Sequence, residues 1–453
     1  MTPSVITRGS SMLLAFRAEN ARSFREEVEL SLLATRLSDE EVVREIPWRD
    51  RNRRIGVLSV AGIFGANASG KSNLLKAMDD MRRHVLASFR HGRPSGGMPV
   101  HPFLLGGDGD ALPTTYEVDL VLNEVRHEYG FRIDSERVIE EWAYNYPHGR
   151  AALLFHRRGD EVQLGAAERA KGRATLDILR PNALYLSTAA ATNHPVLLPL
   201  YEWFMRNLLF ADVNSRAFRQ AFTAEMLDED DQREQVMDLL READLGITGA
   251  TRRELDPVMR ERIMEALSIL RGEEEGSGSG SGSGEDPIEF EDFEVRLKHK
   301  SAAGDVELPP MDESMGTLVW FGMIGPVIEA LRRGSVLLAD ELDASLHPTL
   351  VDILVRLFQS TESNPRRAQL IFNSHDVTLM GDSGSHTLGR DQIWFTEKDE
   401  SGGTRLYPLT DLDPRKGEAV GRRYLAGRYG ATPIVSAGQL ERIVGAIASG
   451  PEE

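Results

Sequence analysis

Apolar and polar positions alternate through "MLLAFRAENARSF" (12–24) and "EVELSLLA" (27–34), the period-two pattern of half-buried strands. The run "IGVLSVAGIFG" (55–65) is nearly continuous in apolar residues, as a strand covered on both faces must be. Behind it Leu74, Met78, Met81 and Val85 recur at spacings of four, three and four, which is one face of a helix. A glycine-rich turn therefore lies between a buried strand and an amphipathic helix. From 101 to 165 the runs "TYEVDLVL", "HEYGFRID", "RVIEEWAYNY" and "ALLFHRRG" predict antiparallel strands. Residues 196–271 change to helical patterns, the last of them "PVMRERIMEALSILRG" with Met259, Ile263 and Leu267 four apart.

The stretch "GEEEGSGSGSGSGEDP" (272–287) is a flexible linker by composition, either natural low complexity or introduced in place of a loop. Beyond it "FEVRLKH" predicts a strand, "ESMGTLVWFGMIGPVIEAL" a buried helix and "SVLLADE" (335–341) a covered strand. "PTLVDILVRLFQS" reads as a helix with Pro348 in its first turn, and "AQLIFNSHD" (368–376) as a last covered strand. "DQIWFTEKDESGGTRLYPL" folds back as a hairpin around Ser401-Gly402-Gly403. The expected organisation is a leader (1–11), an N-terminal lobe with an antiparallel β region (12–195), a helical insertion (196–271), the linker (272–287) and a C-terminal lobe (288–453). The fold class is α/β: a mostly parallel core sheet plus an antiparallel β subdomain.

Composition narrows the chemistry. An apolar fraction of 41% over 453 residues is ample for a packed core. No Cys is present, which excludes disulfides and thiolate metal sites and fits a cytoplasmic protein. The net charge of −18 opposes nucleic acid on average, although a local basic strip could still bind it. The basic groups "RDRNRR" (49–54) and "RRHVLASFRHGR" (82–93) read as solvated faces. No membrane span is expected, because the longest apolar candidate, 318–331, is short and holds two Gly, a Pro and Glu329. The polar N-terminal stretch does not resemble a signal peptide, and Met12 is an alternative start.

Gly65-Ala66-Asn67-Ala68-Ser69-Gly70-Lys71-Ser72, followed by Asn73, satisfies G-x-x-x-x-G-K-[ST] between its strand and helix. Its glycines let backbone N–H groups approach phosphate oxygens at a helix N-terminus. Lys71 then faces the β- and γ-phosphates of ATP, and the Ser72 hydroxyl is a ligand for Mg2+. In "VLLADELDASLHP" four apolar residues deliver Asp340 and Glu341 to a strand end. Asp340 is placed to hold Mg2+, and Glu341 to take a proton from the water attacking the γ-phosphate.

The stretches "DELDASLHP" and "IFNSHD" resemble ATP-binding-cassette ATPases of the SMC, RecF and RecN kind. The resemblance implies that Asp343 sits in a loop crossing a dimer interface and that His375 contacts the γ-phosphate. In "DESMGT" (312–317), Ser314 and Gly316 match the signature that caps the nucleotide of the other protomer. The form of that signature, with "AENARSF", "LLREADLGI" (239–247) and "YLAGRYGATP" (424–433), is similar to stand-alone ATPases of the RloA/AbiL group. Such proteins are implicated in defence against phage, often beside an effector of the RloB kind. The resemblance implies an ATP-sandwiched homodimer, possibly a higher oligomer, and a separate effector that does any cutting. The chain departs from that pattern in having no Gln between Ser72 and Gln163, and in Ala21 where a Phe is usual. Two other readings stay open: a RecF-like ATPase of DNA repair, and a scaffold that binds ATP but scarcely turns it over.

Overall fold

The computed structural model describes residues 11–433 except 255–292 and the short stretches 39, 51–52, 91, 94–95, 107–111, 148, 167–171, 213–214, 244–245, 382–386 and 416. After 433 it describes only 438, 441, 442 and 444. The leader, the expected helix at 257–271 and the Gly/Ser linker lie outside the described residues, apart from Ser11, which opens the first strand. The chain divides into two compact units: Met1–Phe210, Ala330–Asp343 and Val351–Glu453 form one, Ala211–Glu329 and Ala344–Leu350 the other.

The first unit contains two large sheets and a two-stranded hairpin. Along the chain come β1 (Ser11–Glu19), β2 (Val28–Ser31), β3 (Val43–Asp50), β4 (Arg53–Leu58) and β5 (Val60–Gly65), then helix α1 (Lys71–Ala87). The strands β6 (Thr114–Leu122), β7 (Val125–Ile133), β8 (Val138–Tyr146), β9 (Ala152–Arg158) and β10 (Glu161–Leu164) follow. They form an antiparallel sheet of order β10-β9-β8-β7-β6-β1-β2, as the alternation between 101 and 165 predicts. Helices α2 (Arg173–Ile178), α3 (Tyr185–Ala191) and α4 (Leu198–Arg206) lead to β11 (Leu208–Ala211). So the stretch read as helical from 196 starts with a helix that packs on α1, then adds a strand to the core sheet.

The apolar run 55–65 is not one strand. It breaks at the buried Ser59 because the chain changes partners there: the Leu58 amide donates to the Leu32 carbonyl, while the Ser59 carbonyl accepts from Leu370. β4 pairs with β3 in a hairpin, and β5 enters the parallel sheet. Apolarity reports burial, and both halves are buried, so the pattern could not mark the switch.

The face of α1 predicted by spacing, Leu74, Met78, Met81 and Val85, is buried to 1% exposure or less. It shares one core with Ala61 and Ile63 of β5 and with Tyr116, Tyr129 and Phe131 of the antiparallel sheet. Each such side chain removed from water contributes roughly 1.5–3 kcal/mol.

In the second unit α5 (Arg216–Glu225) and α6 (Asp230–Glu242) precede a three-stranded antiparallel sheet, β12 (Ile247–Glu254), β13 (Phe293–His299) and β14 (Val306–Leu308). Helix α7 (Met315–Arg333) belongs to this unit as far as Glu329. It crosses α5 closely at Gly325, where an added Cβ would lie 2.5 Å from Thr223 Oγ1, and that hydroxyl accepts from the Gly325 amide. The first unit is completed by β15 (Val336–Ala339), the greater part of α8 (Pro348–Gln359), β16 (Gln369–Asn373), β17 (Ile393–Lys398), β18 (Thr404–Pro408) and α9 (Val420–Leu425). Its second sheet has the order β11-β15-β16-β5-β17-β18, parallel at β15-β16, β16-β5 and β5-β17, with β17-β18 an antiparallel hairpin.

One side chain stitches the two sheets. The Gln369 amide accepts from the Leu13 N–H at 2.7 Å and donates to the carbonyls of Leu13 (2.9 Å) and Leu58 (3.1 Å). It does so beside the register shift of β1 between Leu13 and Ala15. Gln369 is buried, so its loss would strand polar groups away from water. Gln369→Leu is expected to lower stability by about 2–3 kcal/mol, read as a shift of the urea midpoint at unchanged slope.

Candidate functional site

β5 is buried along its whole length and ends at Gly65. The chain then curls through Ala68, with φ 60, and Gly70, with φ 108, into α1. Left-handed backbone costs a residue with a side chain about 1–2 kcal/mol, which glycine avoids at position 70. The turn leaves the first amides of a 17-residue helix without intrahelical partners, where they and the helix dipole favour an anion.

Lys71 is buried within this turn, and its Nζ donates to the carbonyls of Gly65 and Ala66, each at 3.0 Å. Burial pulls the ammonium below its ordinary pKa, while the carboxylates of Asp343, Glu341 and Asp340 pull the other way. The acidic stretch from Asp340 to Asp343 is therefore within electrostatic reach of the glycine turn.

Parallel pairing explains that convergence. β15, β16 and β5 are neighbours, with Ala339 opposite Phe372 and Asn373 opposite Ile63, so their C-terminal ends lie at one level. In open α/β sheets that end is where ligands bind. Asp340 follows β15 directly and is buried. Glu341 is exposed and takes the left-handed conformation, φ 51, a strain of roughly 1–3 kcal/mol of the sort found at functional sites.

Asn373, which carries no role in the sequence reading, joins these pieces. Fully buried at the end of β16, it donates from Nδ2 to Asp340 Oδ1 at 2.5 Å and to Ser72 Oγ at 3.2 Å. Its Oδ1 accepts from the Glu341 amide. An Asn in "IFNSHD" is visible in the sequence, but nothing in the spacing says that it faces two other motifs.

His375 is exposed just beyond β16, and its amide donates to Asp343 Oδ2 at 3.1 Å. Asp343 Oδ1 is buried and has no hydrogen-bond partner among the described residues. Ser314 and Gly316 lie in the second unit at the start of α7. The Ser314 hydroxyl accepts from the Thr317 amide at 3.1 Å, so it is an N-cap, and the residue is exposed. A Cβ on Gly316 would lie 2.7 Å from the Ser345 carbonyl, a close approach open only to glycine.

The outer side of the glycine turn is held by hydroxyls that the sequence reading did not single out. Thr404 Oγ1 donates to the Ser69 carbonyl and accepts from Ser23 Oγ, each at 2.8 Å. Ser69 Oγ meets Thr396 Oγ1 at 2.6 Å. The hairpin β17–β18 thus clasps the turn, and an added Cβ at Gly70 would lie 2.3 Å from Thr404 Oγ1. Because the clasp preorganises the backbone amides, Thr404→Val should weaken binding of an ATP analogue about tenfold, roughly 1.4 kcal/mol. Gly70→Ala should abolish it. Fluorescence titration decides, and unchanged affinity in folded Thr404→Val would remove the clasp from the site.

Residues 60–381 match the family model described as "AAA domain, putative AbiEii toxin, Type IV TA system". No curated protein matches the chain significantly. Among solved structures, the SMC head domain from Thermotoga maritima is 12% identical with a TM-score of 0.36, over 87% of this chain and 98% of that one. The recombination mediator protein RecF, solved with ATP, is 14% identical with a TM-score of 0.34, over 89% of this chain and 99% of that one. The fold rests on the topology itself: a parallel sheet carrying the glycine turn after β5 and the acidic pair after the neighbouring-but-one strand, beside an antiparallel sheet, is an ATP-binding-cassette head. Among the described residues no helix is long and apolar enough to cross a membrane. With the family model covering most of its length and the motifs at adjoining strand ends, this chain belongs to that AAA-domain family.

Proposed function

We propose that this chain hydrolyses MgATP at a site shared between two copies, and that the nucleotide-dependent pairing controls a separate effector in defence against phage. The observation that carries the reading is the hydrogen-bonded link from Ser72 to Asp340 and Glu341 beside a buried Lys71. The hydroxyl of Ser72 and the carboxylate of Asp340 are hard oxygen donors bridged by one amide, a set that suits Mg2+. Mg2+ bound by them would neutralise charge on the transferring phosphoryl group.

The chain's own groups do the rest. Lys71 and the amides after Gly70 hold phosphate oxygens, Glu341 accepts a proton from the attacking water, and His375 faces the γ-phosphate. Ser314, Gly316 and the N-terminus of α7 cap the phosphates held by the partner copy, with Asp343 at the crossing. The family description and the RloA/AbiL-like motifs support the role in defence.

Lys71→Ala should lose nucleotide binding, whereas Glu341→Gln should bind ATP with turnover reduced by two to four orders of magnitude, roughly 3–5 kcal/mol of barrier. Wild-type turnover in Glu341→Gln would refute the assignment. Mixing Lys71→Ala chains with Ser314→Arg chains should restore part of the activity, since one site in each mixed dimer keeps both halves. A Ser314→Arg protein that pairs and turns over normally would remove the signature from the partner's site.

The effector reading is tested by capture of the neighbouring gene product on Glu341→Gln protein with and without ATP. Retention that depends on nucleotide is expected, because ATP does work only by favouring one arrangement over another. Equal retention in both states removes the switch.

A further inference from the structure

We propose that Asn373 is a positioning residue that sets the spacing of the two Mg2+ ligands and holds the catalytic carboxylate's backbone, and this inference rests on the MgATP reading above. The amide is polarised by its surroundings. Only the orientation with Nδ2 toward Asp340 and Oδ1 toward the Glu341 N–H pairs donors with acceptors. In that orientation the second Nδ2 proton reaches Ser72 Oγ at 3.2 Å. One side chain thus connects the first turn of α1, the end of β15 and the strained residue after it.

Three features make the link more than a packing contact. Asn373 is completely buried, so the amide has no water to exchange these bonds with. Its own backbone is fixed, because Asn373 sits in register opposite Ile63 of β5 and its carbonyl accepts from the Leu342 amide at 3.2 Å. The bond to the Glu341 amide falls on the residue whose φ is 51, a conformation that needs outside support to persist. The Asp340 oxygen bonded to Asn373 is oriented by it, as groups bonded to metal ligands commonly orient them.

A lone structural asparagine would affect folding and nothing else. A positioning asparagine must change how the site responds to metal. Asn373→Leu keeps the branched heavy-atom skeleton and removes all three bonds, and Asn373→Thr restores a single hydroxyl. Both are made in the full chain and checked for folding by circular dichroism and melting temperature. Affinity for a fluorescent ATP analogue is titrated against Mg2+ and in EDTA, beside steady-state ATPase measurements.

For Asn373→Leu the half-saturating Mg2+ is expected to rise about 10–100-fold, the range for groups that support metal ligands, with metal-free nucleotide affinity unchanged. Its kcat should fall about 100-fold, as for a misplaced catalytic group, at nearly unchanged KM. Asn373→Thr should lie between Leu and wild type in both. A folded Asn373→Leu with wild-type Mg2+ dependence and kcat overturns the proposal, as does equal loss of binding with and without Mg2+. If Asn373→Leu does not fold, wild-type behaviour of Asn373→Thr overturns it as well. Wild-type protein that neither binds nor hydrolyses MgATP would instead defeat the underlying reading, whatever the variants do.

Discussion

Parallel hydrogen bonding among β15, β16 and β5 is the constraint on which the candidate site depends. In a parallel ladder neighbouring strands run the same way, so their C-terminal ends finish together. Here the register sets Ala339 beside Phe372 and Asn373 beside Ile63. A glycine turn at 65–70, an acidic pair at 340–341 and an Asn-Ser-His run at 373–375 thereby meet at one edge. A slip of one residue in β16 would turn Asn373 to the opposite face and part Ser72 from Asp340.

Strain and clasp act together at that edge. Ala68 and Glu341 both hold left-handed backbone that ordinary residues avoid, and both are tied to buried groups close by. Glu341 is tied through Asn373, and the turn containing Ala68 through the hydroxyls of Ser69, Thr396, Thr404 and Ser23. A rigid cradle avoids ordering its amides when an anion arrives, so such contacts bear on binding through the backbone they hold.

The second unit follows different packing rules. Small residues bring its helices together, with Gly325 against Thr223 and Gly316 against the Ser345 carbonyl. Ser314 then serves as the cap that starts α7, so the residue with a proposed role toward a partner's phosphates also determines where its own helix begins.

Much of this was legible along the chain. The period of Leu74, Met78, Met81 and Val85 marks the buried face of α1, and the unbroken apolar runs before Gly65 and Asp340 mark covered strands, because burial acts on each residue locally. The glycine turn could be read as a candidate phosphate cradle because its glycine, lysine and serine are contiguous. The break at Ser59 could not, since both sides are equally buried and only the change of hydrogen-bonding partner separates them. Nor could the stitch at Gln369, or the clasp by Thr396 and Thr404. No Gln occurs between Ser72 and Gln163, and the amide that joins the metal-ligand candidates comes instead from Asn373, 301 positions from Ser72. A side chain's local pattern reveals whether it is buried, but which polar groups it meets there depends on strands brought together by register, and only the tertiary structure decides that.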